Sequence, residues 1–377
     1  MSRVMQSPRN PASIWRHVDL TLLLATVGVS AMGLLMVYSS TRQKQEAAGS
    51  DPAFFLKRQA FFVVLGLVVL AVVTLIDYRR IRDFAPMLYV GSVVALVLVI
   101  SPLGTSRRGS QAWFQVGPYQ FEPSEVSKLV VILVLAAVCA GYRGELDTRG
   151  LVIALGLAAV PMALIFLQPD LGTDMVFVAI LMGVLLVAGA RPRHIAALTL
   201  VGITGIVLVA ELGMLKEYQA DRLSAFLDPQ ADTQRSSYNL RQSQIAIAAG
   251  GVAGRGLFQG TQTNLSFVPE QHTDFIFTAV GEELGFLGGA SLIGFFGVIV
   301  WRTWRAAVLA RDQMGRLICV GVLAMFVFQL FENIGMTMGI TPITGIPLPF
   351  MSYGGSAMVA SFIGIALVLN VHMRRFS

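Results

Sequence analysis

The chain has 377 residues, of which 55% are hydrophobic and only 13% are charged. A soluble domain usually carries about 25% charged residues, so this composition excludes an ordinary soluble protein and predicts a polytopic membrane protein. The formal net charge of +6 does not indicate nucleic-acid binding, because the positive residues recur in short turns between apolar runs.

Ten apolar runs follow one another along the chain, and each is predicted to form a membrane-spanning helix. About 20 helical residues, at about 1.5 Å each, cross a hydrocarbon core about 30 Å thick. The predicted fold class is therefore an all-α polytopic membrane protein with about ten transmembrane helices in a single transmembrane domain, residues 1–377. The runs are 18–38, 61–76, 84–100, 126–140, 151–167, 175–190, 195–212, 275–301, 317–338 and 357–371.

Arginine residues occupy every second connection, which sets the predicted orientation. Arg79, Arg80 and Arg82 lie between the second and third runs, and Arg191 and Arg193 lie between the sixth and seventh. Cytoplasmic loops of membrane proteins carry the excess of Lys and Arg. We therefore expect the N- and C-termini to be cytoplasmic and the chain to be a multi-pass membrane protein.

The two cysteines and four histidines show no pattern typical of a metal site. Cys139 and Cys319 both lie inside apolar runs, which predicts small buried side chains and no disulfide. The histidines are scattered along the chain. A structural metal ion is not expected.

One connection is much longer than the others, and the orientation places it outside the cell. It runs from residue 213 to residue 273, between the seventh and eighth predicted helices, and includes the turn-rich stretches "LDPQADTQ" and "AGGVAGRG". Residues 243–249 are predicted to form a short helix on the membrane. Long ordered loops are usually functional, and this one leads directly into "VPEQHTDFIFTAVGEELGF", residues 268–286.

This stretch brings several acidic groups to the outer end of the eighth helix. Asp274 has two interpretations: an N-cap of the helix, for which Thr273 is equally suited, or a general base whose pKa an apolar pocket raises. Glu282 and Glu283 lie deeper in the helix. A carboxylate there costs at least about 2.5 kcal/mol unless it is paired or faces water, so a structural or cavity-lining role is predicted for both.

The loop before the fourth helix carries a second polar group. Glu125 and Lys128 are three residues apart and share a helix face. They form either a local salt bridge or a site where Lys128 binds an anionic substrate group. Trp113 is either an interfacial aromatic residue or a platform for a sugar ring.

The stretch "LPFMSYGGS" precedes the tenth helix. It contains Ser352, Gly354 and Gly355, and glycine lets a backbone approach a ligand closely. The helix amides that follow either bind an anion such as pyrophosphate or form a plain helix start capped by serine.

Five motifs, in order, resemble those of the SEDS family of bacterial membrane proteins, the RodA/FtsW group. They are "PSEVSK", "QPDLGT", "PEQHTDFIF", "GEELGF" and "PLPFMSYGGS". The resemblance extends from about residue 19 to residue 375. "GTQTNLSFVPEQHTDFIF" and "PITGIPLPF" look more like the RodA branch, which acts in cell elongation, than like the division-type branch.

The resemblance implies a peptidoglycan glycosyltransferase that polymerises lipid II at the outer leaflet and releases undecaprenyl pyrophosphate. The essential aspartate of the family corresponds to Asp274 as the catalytic residue. A divalent cation, Mg²⁺ or Mn²⁺, is a possible cofactor beside the leaving group. The expected substrate-binding residues are Trp113, Glu125, Lys128, Arg222, His272, Ser352, Gly354 and Gly355.

The family resemblance also implies partners. These are the lipid II substrate, a class B penicillin-binding protein with transpeptidase activity, and other membrane proteins of the elongation complex. No nucleic-acid partner is expected.

The chain departs from the family pattern at three positions. Glu122 stands where the family usually has Gln, Asp174 where a small residue is usual, and Ala112 where an arginine is common. Arg107 and Arg108 are candidate substitutes for that arginine.

Two functions from other classes compete with the polymerase. A lipid II transporter uses membrane-embedded carboxylates equally well, and a scaffold only holds a partner synthase. The concentration of polar groups on the outer face, the short inner loops and the lack of visible inverted repeats favour the enzyme.

Overall fold

The computed structural model describes residues 17–376 except 108–109, 143, 212–221, 223–225 and 227–235. Within these residues ten helices have 17 residues or more, and each overlaps one of the ten predicted runs. Two shorter helices, α8 and α9, lie in the long loop. In chain order the helices are α1 (Leu20–Ala47), α2 (Phe54–Leu75), α3 (Tyr78–Ile100), α4 (Pro123–Cys139), α5 (Thr148–Leu167), α6 (Leu171–Val187), α7 (Pro192–Glu211), α8 (Ser236–Gly250), α9 (Thr261–Asn264), α10 (Ile276–Val308), α11 (Gln313–Met338) and α12 (Gly355–Met373).

Seven helices of the described chain are long and apolar enough to cross a membrane: α1, α2, α3, α5, α10, α11 and α12. The starts of α2 and α3 were predicted seven and six residues too late, at residues 61 and 84. Their first turns carry charged residues, such as Lys57 and Arg79, which an apolar-run criterion leaves out. Charged first turns suit helix ends that reach the membrane surface.

The packing of the helices matches a protein surrounded by lipid. α2 packs against α12, and α1 packs against α10, while Val64 and Val68 of α2 stay more than half exposed. Large exposed apolar faces are rare on soluble proteins, and in a membrane they face the acyl chains. Cys139 and Cys319 are both buried and form no disulfide, as predicted.

A small antiparallel sheet, which the sequence analysis did not predict, lies between α3 and α4. Its strands are β1 (Thr105–Arg107), β2 (Ser110–Val116) and β3 (Tyr119–Phe121), paired in that order. Gly117 and Pro118 connect β2 to β3 in a two-residue turn, and the positive φ of Gly117 (59°) is typical of such turns. The sheet projects polar side chains over the outer ends of the helices.

The predicted short helix of the long loop is present and extends beyond its predicted bounds of 243–249. It is α8, and it packs against α10 and α11. Ser243 donates a hydrogen bond to the carbonyl of Thr337 at 2.6 Å, and Gln244 donates one to Met338 at 3.1 Å. These bonds satisfy carbonyls at the end of α11, which have no partner within the helix.

A kink in α10 anchors the chain that follows α8. Gly285 has φ 65° and ψ −160°, a conformation that favours glycine, and it interrupts the hydrogen bonds of the helix. The carbonyls of Glu282 and Glu283 instead accept from the N–H groups of Arg255 and Gly256, both at 3.0 Å. The long loop is thus bonded into the helix at the point where the helix is broken.

The carboxylates of Glu282 and Glu283 complete this anchor. Both are fully buried. Glu282 accepts from the N–H groups of Gln262 and Thr263, at 2.8 and 2.9 Å, in the first turn of α9. Glu283 accepts from the hydroxyl group of Ser39 and from another loop N–H group. Both carboxylates therefore have the structural role that was one of their two predicted roles.

We predict that Glu282→Ala lowers the free energy of unfolding by about 3 kcal/mol, because it leaves buried N–H groups without acceptors. The measurement is thermal unfolding of the purified protein in detergent. Glu46→Ala, at an exposed position near the end of α1, serves as the control and should leave the melting temperature unchanged. Equal melting temperatures for the two variants would contradict the anchoring role.

Candidate functional site

A cavity of about 570 Å³ opens at the outer ends of the helices. Its wall combines the first turns of α2, the small sheet, the loop before α6 and the first turn of α12. Residues 270–274 before α10 and residues 344–347 between α11 and α12 close the wall. Cavities of this size, with a few convergent polar groups, are typical of binding sites for small ligands or for the head group of a larger one.

Hydrogen bonds from three side chains or backbone groups, those of Tyr353, Asn333 and Gln271, fix the segment that leads into α10. The N–H group of Tyr353 donates to the carbonyl of His272 at 2.8 Å. The side-chain amide of Asn333 donates to the carbonyls of Asp274 and Ile346, both at 2.8 Å. Asn333 is fully buried in α11. Gln271 adds a bond to Thr278 at 3.0 Å. The backbone of this segment is therefore bonded to α11 and to the loop between α11 and α12.

Asp274 lines the cavity and does not cap α10. The N-cap residue is Phe275, whose side chain makes no capping hydrogen bond, and Asp274 lies one residue before it in the cavity wall. The hydroxyl group of Thr273 donates to the carbonyl of Glu270 at 3.0 Å instead. The N-cap interpretation is therefore wrong for both Thr273 and Asp274, which leaves the Asp274 carboxylate directed to the cavity wall.

Arg222 and Asp274 converge at Gly345. A Cβ atom placed on Gly345 would lie 3.3 Å from Asp274 Oδ2 and 3.7 Å from Arg222 Nη1, and φ at this glycine is 81°. Arg222 also donates a hydrogen bond to the carbonyl of Thr344 at 3.0 Å. The positive φ is a conformation that favours glycine, and it places the loop backbone beside both charged groups. A carboxylate and a guanidinium group thus share one end of the cavity.

His272 belongs to an aromatic cluster on the cavity wall. Its ring centroid lies 5.0 Å from that of Phe55 and 5.6 Å from that of Tyr353. Arg58 lies nearby, with its guanidinium 5.3 Å from the Phe54 ring. The cluster joins the start of α2 to the segment before α12, so it fixes the width of the cavity on that side.

Two predicted substrate-binding residues, Lys128 and Ser352, do not line the cavity. Lys128 is 1% exposed and bonds to Glu125 at 2.8 Å, which is the local salt bridge that was one of the two alternatives. Glu125 itself reaches the cavity. Ser352 accepts a hydrogen bond from the N–H group of Leu348 at 2.8 Å and stabilises the turn before α12.

Trp113 holds a carboxyl group in the cavity wall. Its indole N–H donates to Oε2 of Glu122 at 3.0 Å, and the hydroxyl group of Ser124 donates to Oε1 at 2.7 Å. Burial, together with the neighbouring carboxylates of Glu125 and Asp170, raises the pKa of Glu122 to about 8. A neutral carboxyl group is therefore favoured here at neutral pH.

Gly354 and Gly355 line the cavity at the start of α12, as expected for a place of close backbone approach. The N-cap is Gly354, with no side-chain cap, so the serine-capped alternative is wrong. Ser356 instead accepts a hydrogen bond from the N–H group of Glu122 at 2.9 Å. The amide groups of the first turn remain directed to the cavity end of the helix.

Among the described residues, no three His, Cys, Asp or Glu side chains are close enough together to hold a metal ion. Five carboxyl groups nevertheless line the cavity: Glu122, Glu125, Asp170, Glu270 and Asp274. Mg²⁺ is usually bound by one or two carboxylates together with substrate phosphates. The cavity therefore suits a cation that a phosphorylated ligand helps to bind. Of the two candidate arginines of the 107–128 loop, Arg108 and the side chain of Arg107 lie outside the described residues.

Asn333 and Arg58 were not predicted from the sequence as residues of the site. Asn333 stands beside Glu332 inside an otherwise apolar run, "MFVFQLFENIGM", and a polar pair at such a place is a signal of a function or of a fixed contact. Arg58 lies before the predicted start of its helix, and the sequence around it did not indicate a site residue.

A family model for FtsW, RodA and SpoVE, described as "Cell cycle protein", matches residues 20–376. "Stage V sporulation protein E" of Bacillus subtilis is 37% identical over 356 residues, which cover 94% of this chain and 96% of the relative. "Peptidoglycan glycosyltransferase MrdB" of Escherichia coli is 33% identical, with 97% of each chain covered. "Probable peptidoglycan glycosyltransferase FtsW" of Geobacter metallireducens is 32% identical, covering 94% of this chain and 95% of the relative.

Two solved structures have a similar fold. One is described as "Structural coordination of polymerization and crosslinking by a peptidoglycan synthase complex"; it gives a TM-score of 0.80 at 31% identity and covers 96% of this chain and 99% of the other. The rod shape determining protein RodA of Thermus thermophilus gives a TM-score of 0.72 at 29% identity, with the same coverage.

We predict that Asn333→Ala loosens the segment that carries Asp274, because two buried hydrogen bonds are lost. Amide hydrogen exchange in residues 270–276 and 344–348 should become at least about tenfold faster. Gln329→Ala is the matched control, since Gln329 lies one turn earlier on α11 and is also buried. Unchanged exchange in Asn333→Ala would show that the two loops are held by other contacts.

Proposed function

The chain belongs to the FtsW/RodA/SpoVE family, and we propose that it is a peptidoglycan glycosyltransferase that polymerises lipid II at the outer leaflet of the bacterial plasma membrane. The observation that carries this proposal is a cavity at the outer ends of the helices in which Asp274 and Arg222 converge. The E. coli relative, which matches 97% of both chains, bears the name of this activity.

In the proposed reaction, the 4-hydroxyl oxygen of one lipid II sugar forms a bond to the anomeric carbon of the lipid-linked growing chain. The bond from that carbon to the pyrophosphate oxygen breaks, and the electron pair leaves with undecaprenyl pyrophosphate. The configuration at the carbon inverts. Asp274 accepts the proton of the attacking hydroxyl group as general base, because its carboxylate lines the cavity and is not used as a helix cap.

Positive charge next to Asp274 suits the leaving group. Arg222 lies at the same glycine as Asp274, and its backbone contact to Thr344 fixes its guanidinium there. A guanidinium group binds phosphate oxygens with two parallel hydrogen bonds. Arg222 is therefore proposed to bind the pyrophosphate and to stabilise the negative charge that develops on it.

A divalent cation, Mg²⁺ or Mn²⁺, is proposed to assist at the same place. Such a cation would neutralise pyrophosphate charge when bound. Glu270, which lies at that end of the cavity, and the pyrophosphate itself would hold it, since no protein-only cluster of three ligands exists in the described chain.

The proposed partner is a class B penicillin-binding protein, a transpeptidase that crosslinks the new strands, with other membrane proteins of the elongation complex. A solved relative of similar fold is described as part of a peptidoglycan synthase complex that coordinates polymerisation and crosslinking. That description supports a joint assembly in this case too.

We predict that Asp274→Asn lowers the rate of glycan polymerisation at least about 100-fold, because the general base is lost. The measurement is incubation of purified protein with labelled lipid II, with and without Mg²⁺ and the transpeptidase, followed by separation of the glycan products. Asp51→Asn is the matched control: Asp51 is an exposed carboxylate paired with Lys57 at 2.6 Å.

Three other results would overturn the proposal in different ways. Normal polymerisation by Asp274→Asn would remove Asp274 from the reaction. No polymer from the wild type, with labelled lipid II crossing proteoliposome membranes, would identify a transporter. Polymer that depends only on the partner's own catalysis would identify a scaffold.

We further propose that the enzyme acts in cell elongation and rod shape. The support is the RodA-like motif "GTQTNLSFVPEQHTDFIF"; the identities of 37%, 33% and 32% to SpoVE, MrdB and FtsW proteins do not separate the branches. We predict that expression restores rod shape to bacteria depleted of their elongation-type polymerase but does not restore division to cells depleted of the division-type one. Cell shape under the microscope is the readout. Rescue of division alone would assign the chain to the division-type branch.

A further inference from the structure

Glu122 is a cavity residue that the proposed mechanism does not use. Its carboxyl group lies at the base of the sheet wall, between β3 and α4. The indole of Trp113 and the hydroxyl group of Ser124 each donate to one of its oxygens. Its own N–H group donates to Ser356 in α12. The position of this carboxyl group is thus fixed by three elements that meet at the cavity.

The charges around Glu122 disfavour a further negative charge. Glu125, from α4, and Asp170, from the loop before α6, are the carboxylates that face it, and both line the same cavity. Lys128 is the amine that faces it, but it is already bonded to Glu125 at 2.8 Å. The direct partners of Glu122, an indole and a hydroxyl group, carry no charge. Like charges at close range favour the neutral form of one carboxyl group.

This wall suits a sugar better than a pyrophosphate group. Gln115 and Gln120 extend the polar surface of the sheet toward the cavity mouth, and amide and carboxyl groups bond well to hydroxyl groups. The carboxylates around Glu122, at the base of the wall, would repel phosphate oxygens. The arginines that line the cavity lie elsewhere: Arg222 beside Asp274, and Arg58 at the turn between β2 and β3, where it donates to the carbonyl of Pro118. A substrate that joins sugar to pyrophosphate therefore has one complementary place for each part.

We propose that Glu122 is a substrate-contacting residue whose carboxyl group works in its neutral form, donating a hydrogen bond to a hydroxyl group of the sugar. The inference rests on the proposed glycosyltransferase function and deepens it. A neutral carboxyl group can donate as well as accept, whereas a carboxylate can only accept. Ionisation of Glu122 removes the donor and adds negative charge beside an anionic substrate.

The pH dependence follows from the direction of the shift. Burial and the neighbouring carboxylates raise the pKa of Glu122 to about 8, so the neutral form is present below about pH 8 and is lost above it. The hydroxyl group of Ser124 and the charge of Lys128 favour the carboxylate and keep the pKa of Glu122 from rising further. The indole N–H of Trp113 also donates to this carboxyl group, and a donor of this kind favours the charged form. Substrate binding should weaken as the pH rises through this range.

The test is the pH profile of lipid II polymerisation, from pH 6 to pH 10, by the full-length protein with its transpeptidase. We predict that kcat/KM of the wild type falls above about pH 8 and that Glu122→Gln removes this fall. Glu122→Ala should raise KM about threefold to tenfold at pH 7, because one hydrogen bond is lost. Glu46→Gln, an exposed glutamate on the same side of the protein, is the control and should keep the wild-type profile.

The Trp113→Phe variant is a second test of the inference, in which Glu122 itself is not changed. It removes the indole donor that favours the carboxylate, so the fall in kcat/KM should move to higher pH. If kcat/KM of both Glu122→Gln and Trp113→Phe depended on pH as it does in the wild type, the inference about Glu122 would be overturned. The proposed polymerase function would still stand. No polymer from the wild type at any pH would instead overturn the proposed function.

Discussion

The side-chain amide of Asn333 holds together the two outer segments on which the cavity depends. Its two hydrogen bonds join the carbonyl of Asp274, before α10, to the carbonyl of Ile346, before α12. A buried amide of this kind is stabilising only when its partners are present, so each segment fixes the other. Arg222 bonds to Thr344 in the second segment. The hydrogen bonds of Asn333 therefore also set the distance between the Asp274 carboxylate and the Arg222 guanidinium group. The proposed chemistry therefore depends on a residue that touches no substrate.

The chain uses its buried carboxylates in two separate ways. Glu282 and Glu283 bond only to loop and helix groups and anchor the external loop at the kink of α10. The carboxyl groups of the cavity instead line a space that can hold a ligand, and their charged neighbours differ between its two ends. Asp274 lies beside a guanidinium group, whereas Glu122 lies among other carboxyl groups. In the proposed mechanism, the carboxylate of Asp274 accepts a proton and the neutral carboxyl group of Glu122 donates a hydrogen bond.

Much of this architecture could be predicted from the sequence, and the exceptions have physical reasons. Apolar runs located all ten long helices of the described chain, because burial in lipid imposes a length and a composition. The small sheet escaped prediction, since its strands of three to seven residues alternate too briefly to be told from a loop. The two interpretations of Asp274 could not be separated from the sequence, because capping depends on the backbone conformation of a segment that Asn333 and Tyr353 hold through distant hydrogen bonds. Lys128 was a candidate for the substrate, but its three-residue spacing from Glu125 produced the local pair.

The most direct test of the account is a structure of the Asp274→Asn variant bound to lipid II in a lipid nanodisc. The account predicts that the pyrophosphate group lies beside Arg222 and that a sugar hydroxyl group lies within hydrogen-bond distance of residue 274. It also predicts the sugar against the sheet wall at Glu122. Lipid II bound elsewhere on the protein, with the cavity empty at saturating ligand, would contradict it.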